Sequence, residues 1–425
     1  MTTSSSDPDP ILRRAVLPAP RSGRKRLAIF AASLGALGLA SGLGFGLLGR
    51  QASARVDINI ATPAPPPPPQ TPIVEPAKPT PRNPGRIQVA LMLDTSGSMG
   101  GLIEQARSQL WKIVTRLDAA RRDGQRPQLE IALYEYGNPN RATEKSGWIR
   151  QIKPFTTDLD SVSEALFSLS VGGGDEYVGK AVATAIRDLE WSTRDGDLKL
   201  LFIAGNEDFD MGPVSPKKAM TAAKEKGVNV TAILCGDNDP TWSNGSKLAS
   251  MGFFTIDQNQ VVAHVDAPQD AEITRLGELL NATYIPFGAE GADGVARQLA
   301  QDGNAINSQP GSMVWRSMAK SSGNYTNSTW DLGDRFRAGG VELEKIANAD
   351  LPPAMRGLLP EQRRAYVEGK LAERAQIQTR IQQLGNERTK FVAAAQGKSA
   401  GAQSLDTAML TALSTQARAV GLQLE

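Results

Sequence analysis

An apolar run, Ile87-Gln88-Val89-Ala90-Leu91-Met92-Leu93, empties without a spacer into Asp94-Thr95-Ser96-Gly97-Ser98-Met99-Gly100. The turn Asp-x-Ser-x-Ser carries one carboxylate and two hydroxyls. These are hard oxygen donors of the kind that Mg²⁺ takes, roughly six at about 2.0–2.1 Å, with waters and outside carboxylates filling the rest. Beyond Gly100-Gly101, the residues Leu102, Ile103, Ala106, Leu110, Ile113, Val114 and Leu117 recur at helical spacing. The turn therefore sits at the carboxyl end of a strand and the start of a helix, where open α/β sheets place their ligands. The competing reading is a helix N-cap, for which Asp and Ser are equally suited.

The alternation continues along the chain. Candidate strands are Ile87–Leu93, Leu129–Tyr136, Trp148–Ile152, Leu198–Ala204, Val228–Cys235, Gly252–Ile256 and Thr283–Pro286. Helical patterns fall at Leu102–Ala120, Leu159–Leu169, Tyr177–Glu190, Pro216–Lys226 and Asp270–Leu280. Repeated strand-then-helix units predict an α/β fold, a doubly wound and mainly parallel sheet with helices on both faces. Leu129–Tyr136 and Trp148–Ile152, joined by a polar Gly-Asn-Pro-Asn loop, predict an antiparallel edge pair.

Strand, Asp-x-Ser-x-Ser turn and helix together resemble the metal-ion-dependent adhesion site (MIDAS) of von Willebrand factor type A domains. That resemblance implies Asp94, Ser96 and Ser98 as ligands of Mg²⁺, or of Mn²⁺ or Ca²⁺. In the family a glycine-rich second loop supplies a threonine. Here Val171-Gly172-Gly173-Gly174 leads to Asp175 and Glu176, and either carboxylate could replace that hydroxyl. The family's third loop reads Thr-Asp-Gly, whereas Leu200-Leu201-Phe202-Ile203-Ala204 runs into Gly205-Asn206-Glu207-Asp208. Gly205 then stands at the usual aspartate position, with Glu207 and Asp208 as outer groups. Phe202–Glu207, Cys235-Gly236-Asp237, Leu280–Gly288 and Asn327–Leu332 are similar to segments of bacterial, membrane-anchored members. Gly174 through Lys180 also spells G-x-x-x-x-G-K, but Ala181 lacks the hydroxyl of a P-loop and a helical pattern precedes it.

At 425 residues the chain has room for two folded regions besides its tails. Residues 1–26 form a basic tail, and Leu27–Leu48 gives 22 uncharged residues in a row, close to the roughly 20 that cross a bilayer. The basic flank keeps the amino terminus in the cytoplasm and sends the main body to the periplasmic side of an inner membrane. The alternative is a signal segment cleaved near Ala54. Residues 55–85 are a proline-rich, semi-rigid linker. A type A-like domain is expected over 86–310 and a helical C-terminal region over 311–425, with a long amphipathic helix from Glu361 to about Gln396 and a final one from Ser404 to Leu424.

Cys235 is the one cysteine and His264 the one histidine. No intramolecular disulfide can form, and a His-rich zinc site is excluded. Cys235 reads as a small buried residue, and His264 as a polar residue on an apolar strand, Val261–Val265. With a net charge of +2 and no basic domain face, nucleic acid is not expected as a partner. The expectation is a non-catalytic module that binds a protein partner whose Asp or Glu completes the metal's coordination. Two alternatives stand beside it. One is an envelope scaffold that binds through its C-terminal helices, and the other is a metal-dependent hydrolase, which would need a second acid where Ser96 stands.

Overall fold

β1 (Arg86–Asp94) is buried along nearly its whole length and sends its side chains alternately into two apolar clusters. Val89, Leu91 and Leu93 go to one, Ala90 and Met92 to the other. A strand apolar on both faces needs a covering layer on each. The computed structural model describes residues 84–237, 239–248, 252–260, 264–396 and 404–424. After β1 come α1 (Gly100–Asp118), β2 (Ala120–Arg121), β3 (Gln128–Tyr136), β4 (Arg150–Thr156), α2 (Leu159–Phe167), α3 (Val178–Asp188), β5 (Leu198–Gly205), α4 (Pro216–Glu225), β6 (Asn229–Cys235), α5 (Pro240–Leu248) and β7 (Gly252–Ile256). Then follow α6 (Asp270–Asn281), α7 (Gly291–Asn307), α8 (Ser312–Lys320), α9 (Leu332–Arg337), α10 (Pro360–Gln396), α11 (Leu405–Ala419) and β8 (Gln423–Leu424).

Six strands form one sheet in the order β4-β3-β1-β5-β6-β7. Only β4 runs antiparallel, at the edge beside β3; the other neighbours are parallel. Helices α3, α4 and α5 cover one face, through residues such as Val182, Met220 and Trp242. The opposite face is covered by α1, α2 and α11, with α6, α8 and α10 packed further out in the same cluster.

Several expected elements differ. The edge strand starts at Arg150 rather than Trp148, because Thr143 caps a short 3-10 turn and Trp148 has a positive φ of 58°, which an extended run cannot contain. Thr283–Pro286 is not a strand. Its backbone bonds instead to Asp331, Leu332 and Arg374, with Pro286 and Asp331 making an isolated bridge. His264 and Val265 lie in irregular backbone, and His264 pairs with Asp270 at 3.0 Å; residues 261–263 lie outside the described residues. Helix α7 escaped the periodicity reading because Gly291, Gly294 and Gly303 dilute its apolar stripe. Gly294 packs against the Trp330 ring so closely that a Cβ would overlap it.

The core does not stop at residue 310. Leu405, Ala408, Met409 and Leu413 of α11 share one cluster with Val89 and Leu91 of β1. Of the stripe expected on the long helix, Val367, Ile381 and Leu384 are buried while Phe391 is exposed. The basic tail, the 27–48 segment and the linker up to residue 83 lie outside the described residues. Among the described residues no helix is long and apolar enough to cross a membrane.

Arg374, on α10, fastens this C-terminal region to the rest. It is 1% exposed, and its five N–H groups meet five acceptors. Nε donates to Thr283 Oγ1 at 3.2 Å, one terminal nitrogen to Asp331 and Asp334 at 2.8 and 2.9 Å, and the other to the Thr283 carbonyl and Asp331 at 2.9 and 3.1 Å. The guanidinium also lies 4.0 Å from the Tyr284 ring centre. Removing one side of a satisfied buried pair leaves the other charge stranded. Arg374→Ala should therefore lower stability by about 3–5 kcal/mol, read as a shift in the urea unfolding midpoint. A loss below about 1 kcal/mol would put the pair in the class of exposed ion pairs.

Candidate metal centre

Asp94 ends β1 opposite Tyr136 of β3, and neither has exposed surface. The backbone N–H of Ser96 donates to Asp94 Oδ1 at 2.7 Å, and Met99 N to the Ser96 carbonyl at 3.1 Å, closing the turn on itself. Thr95 N donates to the Tyr136 carbonyl at 2.9 Å and its own carbonyl accepts from Gly172 N at 2.9 Å, so the second loop is tied to the first. The N-cap of α1 is Met99, which makes no side-chain cap bond. The capping reading of Asp-x-Ser-x-Ser therefore fails, because the backbone N–H that Asp94 accepts from is that of Ser96, ahead of the helix.

With both acids ionised, three buried side-chain oxygens here meet no hydrogen-bond partner: Asp94 Oδ2, Ser96 Oγ and Glu176 Oε2. An orphaned buried polar group costs about 1–3 kcal/mol, so a group of three at one strand end asks for a ligand. Burial raises the Asp94 carboxyl above its ordinary range, against hydrogen bonds from Glu176 and Ser96. Glu176 is pushed up to about 10, first by burial, then by its hydrogen bond to Asp94 and by the Asp94 charge. None of the main influences on either carboxyl is a cation. Two buried acids and a hydroxyl, all hard donors, suit Mg²⁺, Mn²⁺ or Ca²⁺.

The expected residues separate in space. Glu176 is buried beside Asp94, whereas Asp175 is exposed and accepts from the Tyr177 hydroxyl at 2.9 Å. Ser98 is exposed at the rim and accepts from Asn206 Nδ2 at 3.2 Å. Glu207 and Asp208 are exposed too. Glu207 acts on Asp94 and Glu176 through its charge, and Asp208 accepts from Asp210 N at 2.8 Å. Two residues that the sequence reading passed over stand at the same rim. Asn206 leaves Oδ1 buried and unpartnered, and Gln258, just after β7, donates to the Ser98 carbonyl at 3.2 Å and leaves Oε1 unpartnered. Asn206 was legible as the first polar residue after β5; nothing local marks Gln258.

Close approach explains two glycines. Gly137 has a φ of 81°, and a Cβ there would lie 2.8 Å from Glu176 Cγ and 3.0 Å from Asp94 Oδ1. A Cβ on Gly205 would overlap the Tyr136 hydroxyl and come within 3.0 Å of Asp94 Oδ2. That hydroxyl donates to the Ala204 carbonyl at 2.9 Å. The phenol thus fills the space in which a third-loop side chain would stand. The G-x-x-x-x-G-K segment follows α2 and a loop, not a strand, and its second glycine and lysine already belong to α3.

A family model for the von Willebrand factor type A domain matches residues 88–261. This chain carries a type A domain. Among solved structures, likeness is found to proximal thread matrix protein 1 from the mussel byssus in its crystal form 2, with 14% identity, 40% of this chain and 42% of that chain covered, and a TM-score of 0.30. The same mussel protein with a zinc-occupied MIDAS motif gives 15%, 42%, 43% and 0.32. The SpRpn10 VWA domain gives 14%, 42%, 100% and 0.31. The match spans less than half the length of the mussel protein, and scores this low carry nothing about ligand or partner. Comparison with curated proteins finds no match.

In this type A domain the Glu176 carboxyl, raised from 4.5 to about 10 by folding, holds its proton between those values. The folded chain then binds more protons than the unfolded one, so this group's contribution to stability falls as pH rises across that window. Glu176→Gln removes the loss. In the presence of chelator its thermal midpoint should exceed the parent's by a margin that widens from about pH 6 to about pH 9; a margin flat with pH would contradict the raised carboxyl. Gly205→Ala should destabilise by about 1–3 kcal/mol, as overpacking does. Adding Tyr136→Phe should recover part of that loss, since the clash is with the hydroxyl, and a double-mutant cycle reads the coupling.

Proposed function

We propose that this protein is a non-catalytic binding module whose type A domain holds a divalent cation and engages its partner through it. Asp94, Ser96 and Glu176 would hold the ion, with Ser98 and Asn206 at the rim, and an Asp or Glu of a protein partner would take an open position. The observation that carries this reading is the set of three buried, unpartnered oxygens on β1's turn and the second loop. When bound, the ion supplies the positive charge that two adjacent buried carboxyls lack. The chain's own part is to fix the turn through Ser96 N and Met99 N, and to seal the floor with the Tyr136 phenol.

Catalysis is not proposed. Cys235 is buried with its thiol raised well above its ordinary value by burial, and His264 is paired with Asp270. Neither forms a nucleophile and base with the strand-end acids. The amino-terminal pattern, a basic flank, an apolar stretch and a proline-rich linker, supports a single-pass anchor that holds the domain outside the cytoplasmic membrane. Mg²⁺, with Mn²⁺ or Ca²⁺ as substitutes, is the proposed ion.

Calorimetric titration of Mg²⁺ and Mn²⁺ into the full chain tests the site. Saturable binding is expected, and Asp94→Ala should abolish it while leaving the circular dichroism spectrum unchanged. Absence of heat with the parent protein, or binding that survives Asp94→Ala, would overturn the assignment.

A further inference from the structure

The second half of α1, together with α8 and α10, encloses a cleft separate from the strand-end acids. It consists of two cavities of about 220 and 470 Å³ that share Arg116, Trp315 and Thr389 in their walls. Positive charge dominates it. Lys112 is matched by Asp406 at 2.5 Å, Arg388 by Asp270 at 2.6 Å and Arg126 by Asp118 at 3.1 Å. Arg116, Arg121 and Lys390 have no carboxylate within ion-pairing distance among the described residues, and Asp118 is the one acid in the lining. Lys112, Arg116 and Arg388 all gather on the Trp315 ring, at 6.0, 6.0 and 5.1 Å from its centre. The hydroxyl of Ser322, which is 6% exposed, is buried in the wall of the larger cavity without a partner.

At the ring itself Arg116 alone lacks a carboxylate, and with Arg121 and Lys390 it leaves three cations in one cleft without an acidic counter-charge, which favours an anion there. The shape narrows the choice of anion. The lining runs along α1 from Ser108 to Asp118, about 15 Å at the helical rise, which equals about four to five residues of extended chain. We propose that this cleft docks an extended acidic peptide segment, its carboxylates on Arg116, Arg121 and Lys390 and its stem against Trp315. The site does not depend on the metal reading, since the metal turn precedes α1 and the cleft lines its other half.

Fluorescence anisotropy of a labelled hexaglutamate peptide with the full chain tests it. Because a metal centre could also take a carboxylate, the titration is run in chelator and repeated with Asp94→Ala. Saturable binding is expected in both, weakening with salt, absent with hexalysine, and reduced at least tenfold by Arg116→Glu with Lys390→Glu. Both substituted residues have solvent-accessible side chains, and an unchanged thermal midpoint shows that the fold has survived; Arg116→Lys should keep most of the binding. No binding in chelator, indifference to the charge reversals, or displacement by inorganic phosphate at the same concentration as by unlabelled peptide would overturn the proposal. So would tighter binding to phosphatidylserine vesicles than to the peptide.

Discussion

β1 has no face that can meet water, and the remaining architecture answers that constraint. Its neighbours β3 and β5 are parallel to it, so each must be reached by a crossover that lays a helix on the sheet. Helices α3 to α5 cover one face. On the other, α1 and α2 leave the β5 to β7 side open, and α11 closes it from more than a hundred residues away in sequence. The C-terminal helices therefore complete the domain's own core. Removing everything after Gly311, the simplest way to separate a scaffold from a metal-site binder, would strip that face of the sheet and test folding instead.

Buried arginines hold this late-arriving cover in place. Arg374 joins α10 to α9 and the 283–286 segment, and Arg316 does the same among α8, α7 and α2. Arg316 donates to Asp302 and Asp160 at 2.5 and 2.8 Å and lies 4.4 Å from the Trp111 ring centre on α1. Planar, five-donor side chains suit this role because they can satisfy several acceptors in one geometry. Segments such as 283–286, which look like strands by composition, are instead irregular backbone whose polar groups are taken by an arginine and an aspartate. Periodicity cannot show that, because the partners lie 40 to 90 residues away.

What was legible in the sequence was local. The alternation of apolar strands with amphipathic helices marked the sheet, and Gly252–Ile256 is the same in expectation and structure because Thr231 and its neighbours offer an open, parallel edge. The turn at Asp94 was legible because its donors are contiguous. Which of Asp175 and Glu176 turns inward was not, since adjacent residues in an irregular loop differ only by direction. The structure decides it through Gly137, whose missing side chain leaves room for Glu176, and through Tyr177, whose hydroxyl holds Asp175 outward. Asn206 and Gln258 come from separate strand ends and meet only at Ser98.

The exchange at Gly205 has an electrostatic logic. In the family pattern the donor set draws one carboxylate from the first loop and one from the third, with a threonine from the second. Here Tyr136 occupies the third-loop space and Glu176 brings a carboxylate from the second, so two buried carboxylates still stand at this strand end. The charge has moved across the site rather than left it. Moving it also places both acids on the side of Gly137, where burial raises both and the Asp94 carboxylate further raises the proton affinity of Glu176. A proton can then hold the two acids together, and the proposed divalent ion would have to displace it. On the proposed function, binding of the ion should be weak at low pH and stronger above neutrality, because the Asp94–Glu176 contact holds the proton that the ion would displace.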